Sequence, residues 1–284
     1  MTEKTVKEYL ADRYGNFKPV RLTGGYTNET FLLEGTQPLL VAKAARPSSR
    51  GLENEIISLR LMEQTGVVPK IYDHIKENDI QISVMDYREG MNGQSLLDNN
   101  DIERTKELYK SLGKSLSESI HSIKYDFTPH GIKECDFHQL NFHLNFVPDH
   151  LIQTSKDLVG KITDRKEDWV LTHGDYGMHN VLYGDDGTLT VLDWEWAEWA
   201  SPLTDIAWVC WFTRLHYPEH AGTLNPIFLQ EYQKHLPIEL SPEKLNAYGV
   251  YKVWKVLQKV QGAPKDAQEE WVRRLAWTIG ANFI

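Results

Sequence analysis

Val170-Leu171-Thr172-His173-Gly174-Asp175-Tyr176-Gly177-Met178-His179-Asn180-Val181-Leu182-Tyr183 is the stretch on which the fold turns. An apolar run that reads as a strand delivers Asp175 onto a loop, and Asn180 follows five residues later, just before a second apolar run. Ten residues past Tyr183, the strand-like Thr190-Val191-Leu192 ends in Asp193. Two strand ends thus supply an amide and a carboxylate oxygen. Mg2+ takes few protein ligands and keeps waters and phosphate oxygens, so Asn180 and Asp193 suit it. Asp175 is then left to orient an attacking hydroxyl and accept its proton, in a chemistry that positioning and electrostatics dominate.

Phosphates need a cradle and a cation, and the N-terminal third offers both. Gly24 and Gly25, in Leu22-Thr23-Gly24-Gly25-Tyr26-Thr27-Asn28, permit a tight turn and close backbone approach, although such a pair alone is also an ordinary hairpin turn. Lys43 sits inside the apolar run Val41-Ala42-Lys43, where a charge is costly unless paired, and Glu55 on the following helix is its natural partner.

Around these residues the pattern predicts a helix over 2–14, strands at 20–22, 31–34 and 39–44, a helix over 52–64, and strands at 70–74 and 80–87. Leu108, Leu112, Leu116 and Ile120 at steps of four predict one long helix over 101–123. Residues 129–148 show no period, 151–165 read as a helix, two short strands follow at 169–172 and 189–193, and helices run to the end. Strands first and helices later imply an α+β protein of two lobes, residues 1–88 and 89–284, with the boundary near 88–93.

The chain resembles the aminoglycoside phosphotransferase and choline kinase group of small-molecule kinases, which share a two-lobed protein-kinase-like fold. The resemblance is carried by Gly24-Gly25-Tyr26-Thr27-Asn28, Lys43, Glu55-Ile56-Ile57-Ser58-Leu59, Val84-Met85-Asp86-Tyr87, Leu112-Gly113, Ile120-His121, the opening stretch from His173 to Asn180, Leu192-Asp193-Trp194-Glu195, Pro202 and Asp205-Ile206-Ala207. It implies ATP and Mg2+ as cofactors, with GTP not distinguished. It also implies Asp175 as base, Asn180 and Asp193 on the metal, Lys43 on the α/β-phosphates and Glu55 orienting Lys43. Gly24, Gly25 and Asn28 then face the nucleotide, and Met85, Asp86 and Tyr87 offer backbone bonds to adenine. Gly174 stands where protein kinases carry Arg, and no Ala-Pro-Glu segment follows Asp193, so a protein substrate and control by an activation loop are not expected.

Composition narrows the partners. A formal charge of −9 argues against nucleic acid, which needs clustered Lys and Arg, and favours cationic or neutral small molecules. Two distant cysteines, Cys135 and Cys210, suggest neither disulfides nor zinc. No signal-peptide core or membrane-length apolar run is present, so the expectation is a cytoplasmic protein. His173 and His121 read as structural, and His179 as an exposed loop residue. Asp205 reads as a helix cap, although in the family its counterpart supports the active-site loop. Of nine tryptophans, Trp194, Trp196, Trp199, Trp208 and Trp211 read either as packing or as an aromatic cage for a cation. The function expected is phosphorylation of a hydroxyl on an aminoglycoside-like antibiotic or amino-alcohol metabolite. The rivals are a choline- or ethanolamine-type kinase and a catalytically idle nucleotide-binding protein.

Overall fold

The structure, a computed structural model, describes all residues except 1, 23–27, 46–49, 78–79, 129 and 138–139. The Gly24-Gly25 turn therefore lies outside the described residues. Helix α1 (Glu3–Tyr14) starts at Thr2, whose side chain accepts from the Thr5 N–H at 3.3 Å, and lays Val6 and Leu10 against the first sheet. That sheet is antiparallel and contains β1 (Lys18–Arg21), β2 (Glu29–Glu34), β3 (Leu40–Ala45), β4 (Ile71–Glu77) and β5 (Ile80–Asp86) in the order β1-β2-β3-β5-β4.

The two-residue period of β3 divides its work between two faces. Leu40, Ala42 and Ala44 join the core shared with α1, whereas Val41 and Lys43 face a cavity on the other side. Helix α2 (Arg50–Met62) buries Leu52, Ile56 and Leu59 and brings Glu55 opposite Lys43.

After β6 (Met91–Asn92) the chain becomes mainly helical, with α3 (Gly93–Asp98) and α4 (Ile102–Ser115). Leu108, Leu112, Leu116 and Ile120 are all 0% exposed, so the step-of-four reading holds. The single long helix does not. Residues Leu116–Ile120 form a π-helical turn, closed by the His121 N–H on the Leu116 carbonyl at 2.8 Å. Such a widened turn shifts every following side chain around the axis, and here it turns His121 into the core.

Strand β7 (Lys133–Glu134) and helix α5 (Asp149–Val159) follow, and α5 stops at Gly160, short of the expected 165. Then come β8 (Val170–Thr172), β9 (Val181–Tyr183), β10 (Leu189–Val191) and β11 (Glu198–Ala200). They build two small sheets, β10-β9-β6 and β7-β11-β8. Strands β6, β7, β9 and β11 were not expected; β6 and β7, of two residues each, are too short to show a two-residue period. Helices α6 (Leu203–His216), α7 (Pro218–His235), α8 (Pro242–Lys259) and α9 (Lys265–Gly280) complete the chain, with α4 packed on α7 and α8 on both α6 and α9. No helix among the described residues is long and apolar enough to cross a membrane.

Candidate active site

Strand β8 is fully buried and ends at Thr172, and just past His173 the backbone must turn sharply. Gly174 makes the turn with φ +80°, and an added Cβ would lie 2.2 Å from the Trp196 carbonyl oxygen. No side chain fits, which is a local reason why no Arg can stand there.

Asp205 holds this turn from beneath. Its Oδ2 accepts from the His173 N–H at 2.7 Å and its Oδ1 from the Gly174 N–H at 2.8 Å. His121 Nε2 meets Oδ2 at 3.2 Å, and His121 Nδ1 meets the Tyr232 hydroxyl at 2.8 Å. Burial works to raise the Asp205 carboxyl, but the bonds from His121 and the loop backbone hold it below the usual range. The cap reading of Asp205 gives way: α6 starts after Pro202 without a side-chain cap, and both carboxylate oxygens serve the loop.

His173 ties the two strand ends together. Burial pushes its imidazole below the usual range, so it is neutral. The Asp175 N–H donates to Nδ1 at 3.1 Å, so Nε2 carries the proton and donates to the Leu192 carbonyl at 2.8 Å. The Leu192 N–H in turn donates to the Asn180 carbonyl at 2.9 Å. Leu192, the neighbour of Asp193, is thereby tied to the Asp175 backbone through His173 and to the Asn180 backbone directly.

The Asp175 carboxylate is ringed by donors. Trp208 Nε1 donates to Oδ1 at 2.7 Å, His179 Nε2 lies 3.3 Å from Oδ1, and Asn180 Nδ2 donates to Oδ2 at 3.1 Å. Burial alone would raise this carboxyl, but His179, the nearby Lys252 ammonium and Trp208 outweigh it and bring it down to about 2. His179 is not the exposed loop residue expected. Its side chain is 18% exposed and its ring stacks on Phe212 at 4.3 Å.

Asp193 adopts φ +65° and ψ +61°, left-handed backbone that costs a non-glycine residue about 1 kcal/mol or more and that collects at functional sites. Its Oδ1 accepts from Lys43 Nζ at 2.9 Å, and the same ammonium meets Glu55 Oε2 at 2.7 Å. Burial opposes the Lys43 charge, but Glu55 and Asp193 together hold its pKa above the usual lysine range. Asn54 of α2 adds a clamp, its Nδ2 donating to the carbonyls of Glu195 at 3.2 Å and Ala197 at 2.8 Å.

Lys43, Glu55, Asn180 and Asp193 line a cavity of about 460 Å3 between the first sheet and the β9–β10 hairpin. Asn28, Met85, Asp86 and Tyr87 line it too, while Asp175 lies beyond the Asn180 edge. The buried Asn28 amide has no partner for either of its polar atoms among the described residues. The Asp86 N–H donates to the Lys70 carbonyl at 3.1 Å and the Tyr87 N–H to the Leu39 carbonyl at 2.9 Å, so both donors are already engaged.

The oxygen-only donors Asn180 and Asp193 fit Mg2+. Asn180 uses its Nδ2 on Asp175, which leaves Oδ1 free to coordinate, and the Asp193 side chain is 42% exposed at the cavity. Among the described residues no three His, Cys, Asp or Glu side chains gather as a metal cluster, so phosphate and water must complete such a shell.

The tryptophans form no open cage. Trp194, Trp199 and Trp211 are at most 1% exposed, Trp208 stacks on Trp211 at 4.3 Å, and lysines 252, 255 and 259 already lie over Trp196, at 5.2, 5.9 and 4.4 Å.

The model of the phosphotransferase enzyme family, APH, matches residues 19–239. The chain belongs to this family. No curated protein sequence matches it. Among solved structures it is similar to an aminoglycoside phosphotransferase, APH(4)-Ia, in a ternary complex with AMP-PNP and hygromycin B. That likeness has 17% identity and a TM-score of 0.74, covering 98% of this chain and 99% of that one. An amicoumacin kinase in complex with AMP-PNP and Ca2+ gives 14% identity and 0.73, over 100% and 95% of the two chains. A microcompartment-associated aminopropanol kinase gives 14% and 0.70, over 97% and 95%. At such identities the likeness establishes the fold, which is the two-lobed protein-kinase-like one. Family membership makes the chain a small-molecule phosphotransferase.

Sequence reading missed Trp208 as a partner of Asp175 and missed Lys252 altogether. Lys252 of α8 is 1% exposed and donates to the Gly174 carbonyl. A signal was present, since Leu245, Tyr248, Lys252 and Val256 follow the apolar stripe of α8, and a lysine within such a stripe needs a partner.

Proposed function

We propose that the protein transfers the γ-phosphoryl group of ATP to a hydroxyl of an aminoglycoside-like antibiotic or an amino-alcohol metabolite. Residues 1–88 serve as the nucleotide-binding lobe and residues 89–284 carry the base, the metal ligands and the acceptor site. The observation that carries this reading is the Asp175 carboxylate, ionised and fixed by three side-chain donors, held by shared backbone bonds next to Asn180 and Asp193 at the cavity edge. Asp175 orients the acceptor hydroxyl and takes its proton as the oxygen attacks phosphorus. Lys43, kept in place by Glu55, meets the α/β-phosphates. Asn180 and Asp193 would hold Mg2+, which when bound neutralises charge on the phosphate oxygens. The choline-type reading draws no support from the tryptophans, whose faces are covered, and an idle protein would have no need of Lys43, Glu55, Asp175, Asn180 and Asp193 together.

Two results are expected. Mg2+ with AMP-PNP should raise the unfolding temperature of the wild-type protein, and Asp193→Asn should abolish the Mg2+-dependent part of that rise. If metal and nucleotide stabilise both proteins equally, Asp193 is not a ligand. Secondly, because the Asp175 carboxyl is lowered to about 2, its base form is present at every pH above that value and is lost only as pH falls through it. A profile of kcat/KM should therefore lack an acid limb from Asp175 above about pH 4. An acid limb near pH 6 that vanishes in Asp175→Asn would contradict that assignment. Screening ADP release against amino alcohols and aminoglycosides tests the acceptor class, and silence across both classes would reject it.

A further inference from the structure

Lys252 is a buried ammonium without a carboxylate bonded to it among the described residues. Its Nζ donates to the Gly174 carbonyl and lies between two indoles, 5.2 Å from the Trp196 ring and 5.3 Å from the Trp208 ring. One carbonyl and two ring faces offset only part of the desolvation cost of an ammonium. A packing residue of similar length would serve the core at less expense.

The position of the contact gives the charge a use. The Gly174 carbonyl and the Asp175 N–H are the two ends of one peptide group. The oxygen end is held by Lys252 and the N–H end by His173 Nδ1 at 3.1 Å. That peptide delivers the Asp175 carboxylate, whose Oδ1 accepts from Trp208 at 2.7 Å, and the Trp208 ring lies beside the ammonium. We propose that Lys252 is a positioning residue for phosphoryl transfer, clamping the Gly174–Asp175 peptide against His173 so that the Asp175 carboxylate stays aimed at the acceptor hydroxyl. The inference rests on Asp175 acting as the base.

The charged groups that act on Lys252 lie on α8 itself, on β11, on the loop after β8 and on α6. Burial and then the Lys255 ammonium push its pKa down to about 8, against the pull of Glu198, Asp175 and Asp205. Lys252 is thus protonated below that value, and its charge-assisted grip on the carbonyl weakens as pH rises through it. The positioned form of the loop is the low-pH form, so turnover should fall on the alkaline side.

The test uses the full-length enzyme with Mg2+ and ATP, reading ADP release with water as the acceptor from about pH 6 to 10. The wild-type rate should fall as pH rises through about 8. Lys252→Met should lose about 10- to 100-fold in kcat, the scale of a misplaced catalytic group, with the KM for ATP changed by less than about twofold. Lys252→Arg, which cannot deprotonate in this range, should recover part of kcat and lose the alkaline limb. Stabilisation by Mg2+ and AMP-PNP certifies that each variant folds, and the wild-type profile bears on the proposal even if a variant does not. A flat wild-type rate over that pH range, an unchanged kcat in Lys252→Met, or the same alkaline limb in Lys252→Arg overturns the proposal. Wild-type protein that neither binds AMP-PNP nor releases ADP would instead remove the phosphotransferase reading, and this role with it.

Discussion

Asp175→Asn is expected to lower kcat by about 10²- to 10⁴-fold, the range over which a positioned general base contributes. The exchange keeps the shape of the side chain and an oxygen for the Trp208 N–H, so the fold and the nucleotide cavity should survive. Asp175 does not line that cavity, and its loss should leave the KM for ATP close to the wild-type value. The split between kcat and KM is the informative part. A parallel loss of ATP affinity would mean that Asp175 organises the nucleotide site rather than the acceptor hydroxyl. Steady-state kinetics with differential scanning fluorimetry on the same samples decides between the two.

Gly174→Ala is expected to have the largest effect on the folded state. The new Cβ would fall 2.2 Å from the Trp196 carbonyl oxygen, well inside contact distance, and the backbone there is left-handed. The conformation alone costs an alanine about 1–2 kcal/mol. Relieving the clash requires a backbone shift on one side, which adds about 1–3 kcal/mol. The sum of about 2–5 kcal/mol belongs to the severe class of single substitutions. Because the Gly174 N–H and carbonyl are held by Asp205 and Lys252, the shift cannot stay local, and protein that does fold should have lost most of its turnover. Thermal unfolding within about 1 kcal/mol of wild type would show that the loop tolerates a Cβ, contrary to the packing described.

These two residues mark how far the sequence alone reaches. The stretch from Val170 to Tyr183 and the later Asp193 carry their chemistry locally, because the order carboxylate, amide, carboxylate is set by two strand ends and one loop. Lys43 and Glu55 were legible for a similar reason, a charge in an apolar strand followed by an acid on the next helix, and they meet at 2.7 Å. Partners brought from far along the chain were not legible. Trp208 reaches Asp175 from α6 and Lys252 reaches Gly174 from α8, separated by 33 and 78 residues, and their roles arise only when the helices pack. Asp205 was read first as a cap because helix starts commonly carry Asp, whereas the π-helical turn before His121 and the two-histidine setting around its carboxylate are tertiary features. Strands β7 and β11 were not legible because each is defined by pairing with a partner far along the chain.

The most direct measurement of the central claim follows the label from [γ-32P]ATP in the presence of Mg2+ and an acceptor that stimulates ADP release, comparing wild-type protein with Asp175→Asn. The label should appear in the acceptor, on a hydroxyl oxygen, with wild-type protein and at a rate about 10²- to 10⁴-fold lower with the variant. Label found only in inorganic phosphate, or transferred equally by both proteins, would contradict a phosphotransferase in which Asp175 is the base.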